Sequence, residues 1–146
     1  MAQRTGHIVI LAKCEVKSSS FFVKLNSMKI KFLGASGTVT GSCYRLTSGT
    51  TSLLIDFGMF QGKPEDEGWN SMDPQIDFSK LTGVVITHAH LDHCGRLPLL
   101  AKFGFRGPIF MTEATRSLAE LVLHDSAKLA KEEAKVVLYT EEEVIS

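Results

Sequence analysis

The feature that most constrains this chain is a cluster of three histidines and one aspartate directly after a short apolar run. The cluster contains His88, His90, Asp92 and His93, and the run before it spans residues 84–87. A short, almost wholly apolar run is typical of a strand that is buried on both faces of a sheet. The sequence therefore predicts a buried strand that ends in a group of metal-binding side chains.

Imidazole nitrogens and carboxylate oxygens are the ligands that zinc and similar metals prefer. Side chains alternate along an extended strand, so His88 and His90 project to the same side and can bind one ion. Asp92 and His93 lie where the chain turns into the next helix, so they can face a neighbouring ion. Two adjacent ions would share a water, lower its pKa towards neutrality and hold the resulting hydroxide against a phosphorus or carbonyl centre. A solvated His-rich turn is the plain alternative, but four donors within residues 88–93 favour a metal site.

The pattern around this cluster predicts a mixed α/β chain. Residues 59–77 have neither helical nor strand periodicity and are predicted to form a long loop. Strands 43–47 and 52–56 should be joined by a turn at Ser48-Gly49 as part of a β-meander. The predicted strands are residues 29–33, 43–47, 52–56, 84–87 and 108–111, and the predicted helices are residues 97–103, which Gly104 ends, and a long helix that Thr112 caps.

The long helix should pack on the sheet through an apolar face. The side chains predicted on that face are Leu118, Leu121, Val122, Ala127 or Ser126, Leu129 and Ala130. A further helix should begin at Thr140, because Thr140-Glu141-Glu142-Glu143 has the capping-box pattern. Few residues follow this pattern, so we expect the intact protein to continue beyond Ser146.

Length and composition indicate one packed domain and limit its location. The 146 residues are 44% hydrophobic and 22% charged, as in soluble globular proteins. The three cysteines, Cys14, Cys43 and Cys94, form no CxxC pair, which favours a reducing compartment and hence the cytoplasm. The apolar run at residues 8–12 is too short to span a membrane, and a net charge of zero gives no independent support for nucleic-acid binding.

The segment 87–93 resembles the HxHxDH signature of the metallo-β-lactamase superfamily. Residues 54–62, 87–98 and 104–123 further resemble its β-CASP branch of RNA-processing nucleases. The resemblance implies an α/β fold, a metallo-β-lactamase-like αββα sandwich, of which this chain supplies the N-terminal part only. It covers residues 28–146 as a partial domain, and residues 1–27 form an N-terminal extension of unclear role.

The same resemblance implies a site that holds two zinc ions. His88 and His90 correspond to ligands of the first ion, and Asp92 and His93 to ligands of the second, with Asp92 acting in catalysis beside a metal-bound hydroxide. Asp56 corresponds to an acidic residue that supports the histidine loop without binding the metal. A solvated turn carboxylate is the alternative for Asp56.

The implied function is a zinc-dependent RNA phosphodiesterase, either an endonuclease or a 5′-exonuclease. RNA is the implied partner, no membrane is involved, and the resemblance also allows a homodimer of the intact protein. The family's later ligand motifs have no counterpart here, so each ion would have only two ligands and this chain alone should be inactive. The alternatives are another hydrolase of the superfamily, such as a thioesterase or lactonase, or a non-catalytic RNA-binding or interaction module. The preference for RNA over DNA rests on the resemblance alone.

The remaining candidate residues have ordinary explanations. His7 and His124 lack ligand neighbours and are predicted to have surface or packing roles. Cys94 is predicted to lie in the core. The glycine-containing loop 34–42 resembles the family's loop beside the site, but it is assigned no phosphate role.

A chain that begins at Met28 should keep the thermal stability of the full chain, because the folded pattern starts there. Circular dichroism melting of the two chains measures this. A large fall in melting temperature for the shorter chain would contradict the prediction that residues 1–27 are dispensable.

Overall fold

The computed structural model describes residues 28–71, 75–133 and 136–144. The extension 1–27, with Cys14 and His7, lies outside the described residues. Within the described ranges, five strands and five α-helices follow one another along the chain. Their bounds are β1 Lys29–Phe32, β2 Tyr44–Ser48, β3 Thr51–Ile55, α1 Pro64–Glu67, β4 Gly83–Val85, α2 Leu91–Cys94, α3 Leu99–Lys102, β5 Ile109–Phe110, α4 Glu113–Glu132 and α5 Glu141–Val144.

The strands form one sheet in the order β1-β2-β3-β4-β5. The first three are antiparallel, which confirms the predicted meander, and β4 and β5 continue the sheet as parallel strands. Ser48 pairs with Thr51, so Gly49 lies in a two-residue turn, where its φ of 56° suits glycine. Because β3 and β4 are parallel, the residues that follow each of them meet at the same edge of the sheet.

The two faces of this sheet differ in burial. On one face Leu54 and Val84 are fully buried in a core that includes Leu123 of α4. On the other face Ile30 and Phe32 are 59% and 61% exposed. A sheet with helices packed on one face and an open apolar second face is what one half of an αββα sandwich presents.

The prediction for the buried face of α4 was partly wrong. Ala127 is buried and Val122 packs against the core, but three predicted core leucines are exposed. The residues that α4 buries are mostly small and spaced by four: Thr115, Ala119, Leu123 and Ala127. A stripe of small side chains lets the helix lie close to its neighbours, so the larger Leu118, Leu121 and Leu129 are left on its outer side. No helix in the described ranges is long and apolar enough to cross a membrane.

Two shorter segments also differ from the sequence-based expectation. The predicted loop 59–77 contains α1, which Pro64 begins, followed by a 3-10 turn at Gly68–Ser71. Single turns are too short to show periodicity in a sequence. The predicted helix 97–103 begins later, at Leu99, and Gly104 ends it with a φ of 85° as expected. Thr112 caps α4 by accepting a hydrogen bond from the Thr115 N–H, and the Glu143 carboxylate accepts one from the Thr140 N–H.

Candidate metal centre

The four predicted ligands lie on the loop that follows β4 and on the single helical turn α2. His90 is the residue before the turn, with extended backbone (φ −70°, ψ 144°), so it ends the strand-like segment. Asp92 and His93 lie within α2, in which Cys94 is the buried residue. The change from extended chain to helix after His90 places Asp92 and His93 on a different element from His88 and His90.

The donor atoms form two pairs with separations that suit a metal. His88 Nε2 and His90 Nδ1 are 3.2 Å apart. His93 Nε2 and Asp92 Oδ2 are 3.5 Å apart. Two nitrogen ligands of a tetrahedral zinc ion at the usual bond length are about 3.3 Å apart, so both separations fit ligands of one ion. The centres of the His88 and His93 rings are 3.9 Å apart, so the two pairs of donors are neighbours.

Each pair is only part of a coordination sphere. In the described part of the chain, no group of three or more histidine, cysteine, aspartate or glutamate side chains is arranged to hold an ion. A catalytic zinc ion normally has three protein ligands. The donors therefore fit zinc in type and spacing, with two ligands for each ion, and their assignment as ligands stays a prediction.

Asp56 lies directly after β3, and its side chain forms hydrogen bonds with residues before β2 and after β4. Its carboxylate is 2% exposed and accepts hydrogen bonds from the Thr87 N–H at 2.9 Å, from the Thr87 hydroxyl and from the Ser42 hydroxyl at 2.9 Å. His93 Nδ1 lies 2.8 Å from Asp56 Oδ2. This contact assigns the ring proton to Nδ1 and leaves Nε2 free to bind a metal, which is how a carboxylate orients a metal-binding histidine.

The backbone after Asp56 forms hydrogen bonds with residues 87–93, which contain the four predicted ligands and are called the metal loop. The Phe57 N–H donates to the His93 carbonyl at 2.9 Å, and the Met59 N–H donates to the Leu91 carbonyl at 2.8 Å. Between them, Gly58 lies so close to Asp92 that a Cβ atom built on it would be 1.7 Å from the Asp92 carbonyl oxygen. Direct backbone contact therefore fixes the position of the loop.

Sequence reasoning missed three residues that support this site. Ser42 bonds both to Asp56, through its hydroxyl, and to the Asp92 carbonyl, through its N–H at 2.8 Å. Thr87 bonds to Asp56, and Arg96 is buried beneath the loop. The side-chain hydrogen-bond partners of Asp56 and Arg96 lie 14 to 38 positions away in sequence, and only the place of Thr87 at the strand end gave a signal.

The other histidine and the cysteine near the cluster have structural roles. His124 on α4 is half-buried, with Nδ1 4.0 Å from Glu141 Oε2. Cys94 is fully buried, which confirms its predicted place in the core. Burial raises the pKa of its thiol to about 12, so Cys94 is a neutral thiol at neutral pH.

An open cleft of about 1100 Å³ lies beside the donors, and His90 and Asp92 form part of its wall. The described residues that line it include four acidic side chains, Glu67, Asp92, Asp125 and Glu133, and no lysine or arginine. Val122, Leu129 and Val136 contribute apolar surface. The cleft therefore places apolar and acidic surface next to the predicted metal ligands.

Sequence comparison identifies the class of protein that this fold and site define. The profile of the metallo-beta-lactamase superfamily matches residues 36–140, which is more than half of the chain. The chain belongs to the metallo-β-lactamase superfamily, whose members use divalent metal ions. The predicted fold class is confirmed with it.

Curated relatives narrow the class. The chain is 46% identical over 105 residues to "Ribonuclease TTHA0252" of Thermus thermophilus, covering 72% of this chain and 24% of that protein. It is 37% identical over 118 residues to "Transcription termination factor FttA" of Methanocaldococcus jannaschii, covering 80% of this chain and 18% of that protein. It is also 34% identical over 107 residues to "Integrator complex subunit 11" of Danio rerio, covering 70% and 18%.

These relatives belong to the β-CASP branch, so the predicted resemblance to that branch is confirmed. The chain spans about a quarter or less of the length of each of them. The superfamily profile covers the predicted metal ligands, because it matches residues 36–140.

Proposed function

We propose that this chain carries the first metal-binding motif of a zinc-dependent phosphodiesterase that cleaves RNA. The observation that carries the proposal is the arrangement of four donors as two neighbouring pairs, at 3.2 Å and 3.5 Å, beside an open cleft. The relative named a ribonuclease supports RNA as the substrate. No observation favours a thioesterase or lactonase activity.

Each residue of the site has a distinct task in this proposal. His88 and His90 bind one ion, and Asp92 and His93 bind the second. Asp56 accepts the His93 Nδ1 proton and so keeps Nε2 turned towards the ion. When bound, the zinc ions supply Lewis acidity and an activated water for attack on a phosphodiester.

The charge of the cleft makes phosphate binding depend on the metal. Its described lining holds four carboxylates and no cationic side chain, so the protein surface there repels an RNA backbone. Two divalent cations held by the predicted ligands would offset the charge of the four carboxylates and would supply the positive groups that attract phosphate. We therefore expect RNA to bind at this cleft only when the metal is present.

Zinc retention by the chain should depend on the predicted ligands. The double variant His88→Ala/His90→Ala is expected to remove the zinc that the chain retains. His124→Ala should leave it unchanged, because His124 is not one of the predicted ligands and its Nδ1 lies 4.0 Å from Glu141 Oε2. Metal content is measured by mass spectrometry after gel filtration. Equal zinc in the double variant and in the wild type would contradict the ligand assignment.

The chain as it stands should bind zinc weakly and should not cleave RNA, because each ion has two of its usual three protein ligands. A labelled-RNA cleavage assay run beside the metal analysis checks this. Two tightly held zinc ions with turnover that Asp92→Ala abolishes would show that the ligand count is wrong. RNA binding without metal would instead favour a non-catalytic binding module.

The proposal extends to three further properties of the intact protein. They are the cytoplasmic location, a homodimer of the intact protein, and the choice between endonuclease and 5′-exonuclease action. Each stays a prediction from composition or from the resemblance.

A further inference from the structure

Arg96 is an unusual residue in this fold because it is a buried cation without an ion pair. Its side chain is 2% exposed, and no carboxylate in the described part of the chain forms a salt bridge with it. Nε donates a hydrogen bond to the Gly58 carbonyl at 2.6 Å, and the backbone N–H donates to the Phe57 carbonyl at 2.9 Å. Nη2 is buried with no hydrogen-bond partner among the described residues.

Two aromatic rings enclose the guanidinium. Its central carbon lies 4.5 Å from the centre of the Phe57 ring and 4.9 Å from that of Phe60. Cation–π contacts offset part of the cost of burying the charge. Burial lowers the pKa of Arg96 from its usual value, as expected for a cation with no carboxylate beside it. A buried charge without a carboxylate partner lowers the free energy of unfolding. We therefore expect Arg96 to have a role that an apolar side chain could not perform.

The segment that Arg96 holds is the one that pairs with the predicted metal loop. Arg96 contacts the carbonyls of Phe57 and Gly58, and the N–H groups of Phe57 and Met59 hold the carbonyls on either side of Asp92. The same segment begins at Asp56, whose φ of 59° is in the left-handed region and needs support from its surroundings. Arg96 is therefore connected to the metal loop through one rigid segment.

We propose that Arg96 is a positioning residue whose hydrogen bond to Gly58 sets the separation of His93 Nε2 and Asp92 Oδ2. The inference rests on the proposed function, because it assigns that pair to a metal. The bond is directional, so Arg96 acts through the Nε donor rather than through its charge or its volume.

Two substitutions separate the hydrogen bond from the packing. In Arg96→Gln, the amide nitrogen occupies the place of Nε and keeps the bond to Gly58. In Arg96→Met, the unbranched side chain ends near the place of Nε and removes the bond to Gly58. Both variants lose the guanidinium and its charge, so they differ mainly in that bond. The surface residue Arg106, which donates to the Ala101 carbonyl at 2.9 Å, provides the matched control Arg106→Met.

The probe is cobalt(II), titrated into the whole chain and followed by its visible absorption. We expect Arg96→Met to weaken cobalt binding about 10-fold and to change the spectrum, as is typical when a group that orients a metal ligand is lost. Arg96→Gln and Arg106→Met should bind as the wild type does. Thermal melting of both Arg96 variants checks that each is folded under the conditions of the titration.

Wild-type cobalt affinity and spectrum in Arg96→Met would overturn the proposal. Weak cobalt binding by a folded Arg96→Gln would overturn it as well. If Arg96→Met does not fold, the cobalt affinity of Arg96→Gln decides the result. The His93 ring nitrogen shifts of the metal-free chain give a second readout. We expect them to change in Arg96→Met and not in Arg96→Gln. If the wild type binds no cobalt, the proposed function fails, and these shifts still decide whether Arg96 positions His93.

Discussion

Asp56→Asn is expected to lower zinc affinity by about 10- to 100-fold while the chain remains folded. The carboxylate accepts the His93 Nδ1 proton at 2.8 Å, which leaves Nε2 unprotonated. In the variant, the amide oxygen can still accept from the Thr87 N–H, so the amide nitrogen would point at His93 and donate to Nδ1. The imidazole would then carry its proton on Nε2, where it cannot bind an ion.

The cost in stability should be similar in size to the loss of zinc affinity, which corresponds to about 1.4 to 2.7 kcal/mol. One acceptor oxygen is lost from a buried network, which corresponds to about 1 to 3 kcal/mol in the free energy of unfolding. Urea unfolding and competition with a chromophoric chelator measure the two effects. The matched control is Asp77→Asn, an exposed carboxylate that accepts from the Ser79 N–H and should leave zinc affinity unchanged. Equal zinc affinity in Asp56→Asn and in the wild type would show that Asp56 does not set the protonation of His93.

Gly58→Ala should destabilise the fold more than Asp56→Asn does. A Cβ atom at this position would lie 1.7 Å from the Asp92 carbonyl oxygen and 2.2 Å from its carbon. Both are backbone atoms, so no rotation of a side chain relieves the clash and the two segments must separate. Separation breaks the bonds from the Phe57 N–H to the His93 carbonyl and from the Met59 N–H to the Leu91 carbonyl. We expect a loss of more than about 4 kcal/mol, which is a large part of the stability of a small domain.

The control for this change is Gly68→Ala, because a Cβ atom at Gly68 would meet no heavy atom within 4 Å and its φ of −57° suits any residue. Its stability should stay within about 0.5 kcal/mol of the wild type. Chemical denaturation followed by circular dichroism compares the two variants. If Gly58→Ala unfolds at the wild-type denaturant concentration, the close approach between Gly58 and the metal loop is not rigid.

Local patterns in the sequence predicted the parts of this molecule that local interactions determine. The hairpin around Gly49 and the cap at Thr112 each depend on a few adjacent residues. The grouping of the four donors also followed from one short segment, because strand alternation and the start of a helix fix their directions.

The parts that could not be predicted depend on contacts between distant segments. Nothing near Ser42 or Arg96 indicates that one bonds to Asp56 and the other to Gly58, 38 positions away. The buried face of α4 was also ambiguous, since its apolar residues form two stripes and only the packed structure shows that the smaller side chains face the core. The packing between elements determines which stripe is buried and which distant residues bond, and a single sequence does not show that packing.

The spacing of these contacts along the chain also implies an order of folding. The β2–β3 hairpin joins Ser48 to Thr51, so it closes a very short loop and can form within microseconds. The bonds from Asp56 to Thr87 and His93 span 31 and 37 positions, so we expect them to form only after β4 has paired with β3. We therefore expect the metal centre to assemble after the β2–β3 hairpin. An ion bound there should act mainly on the rate of unfolding, because it stabilises contacts that the folding transition state has not yet made.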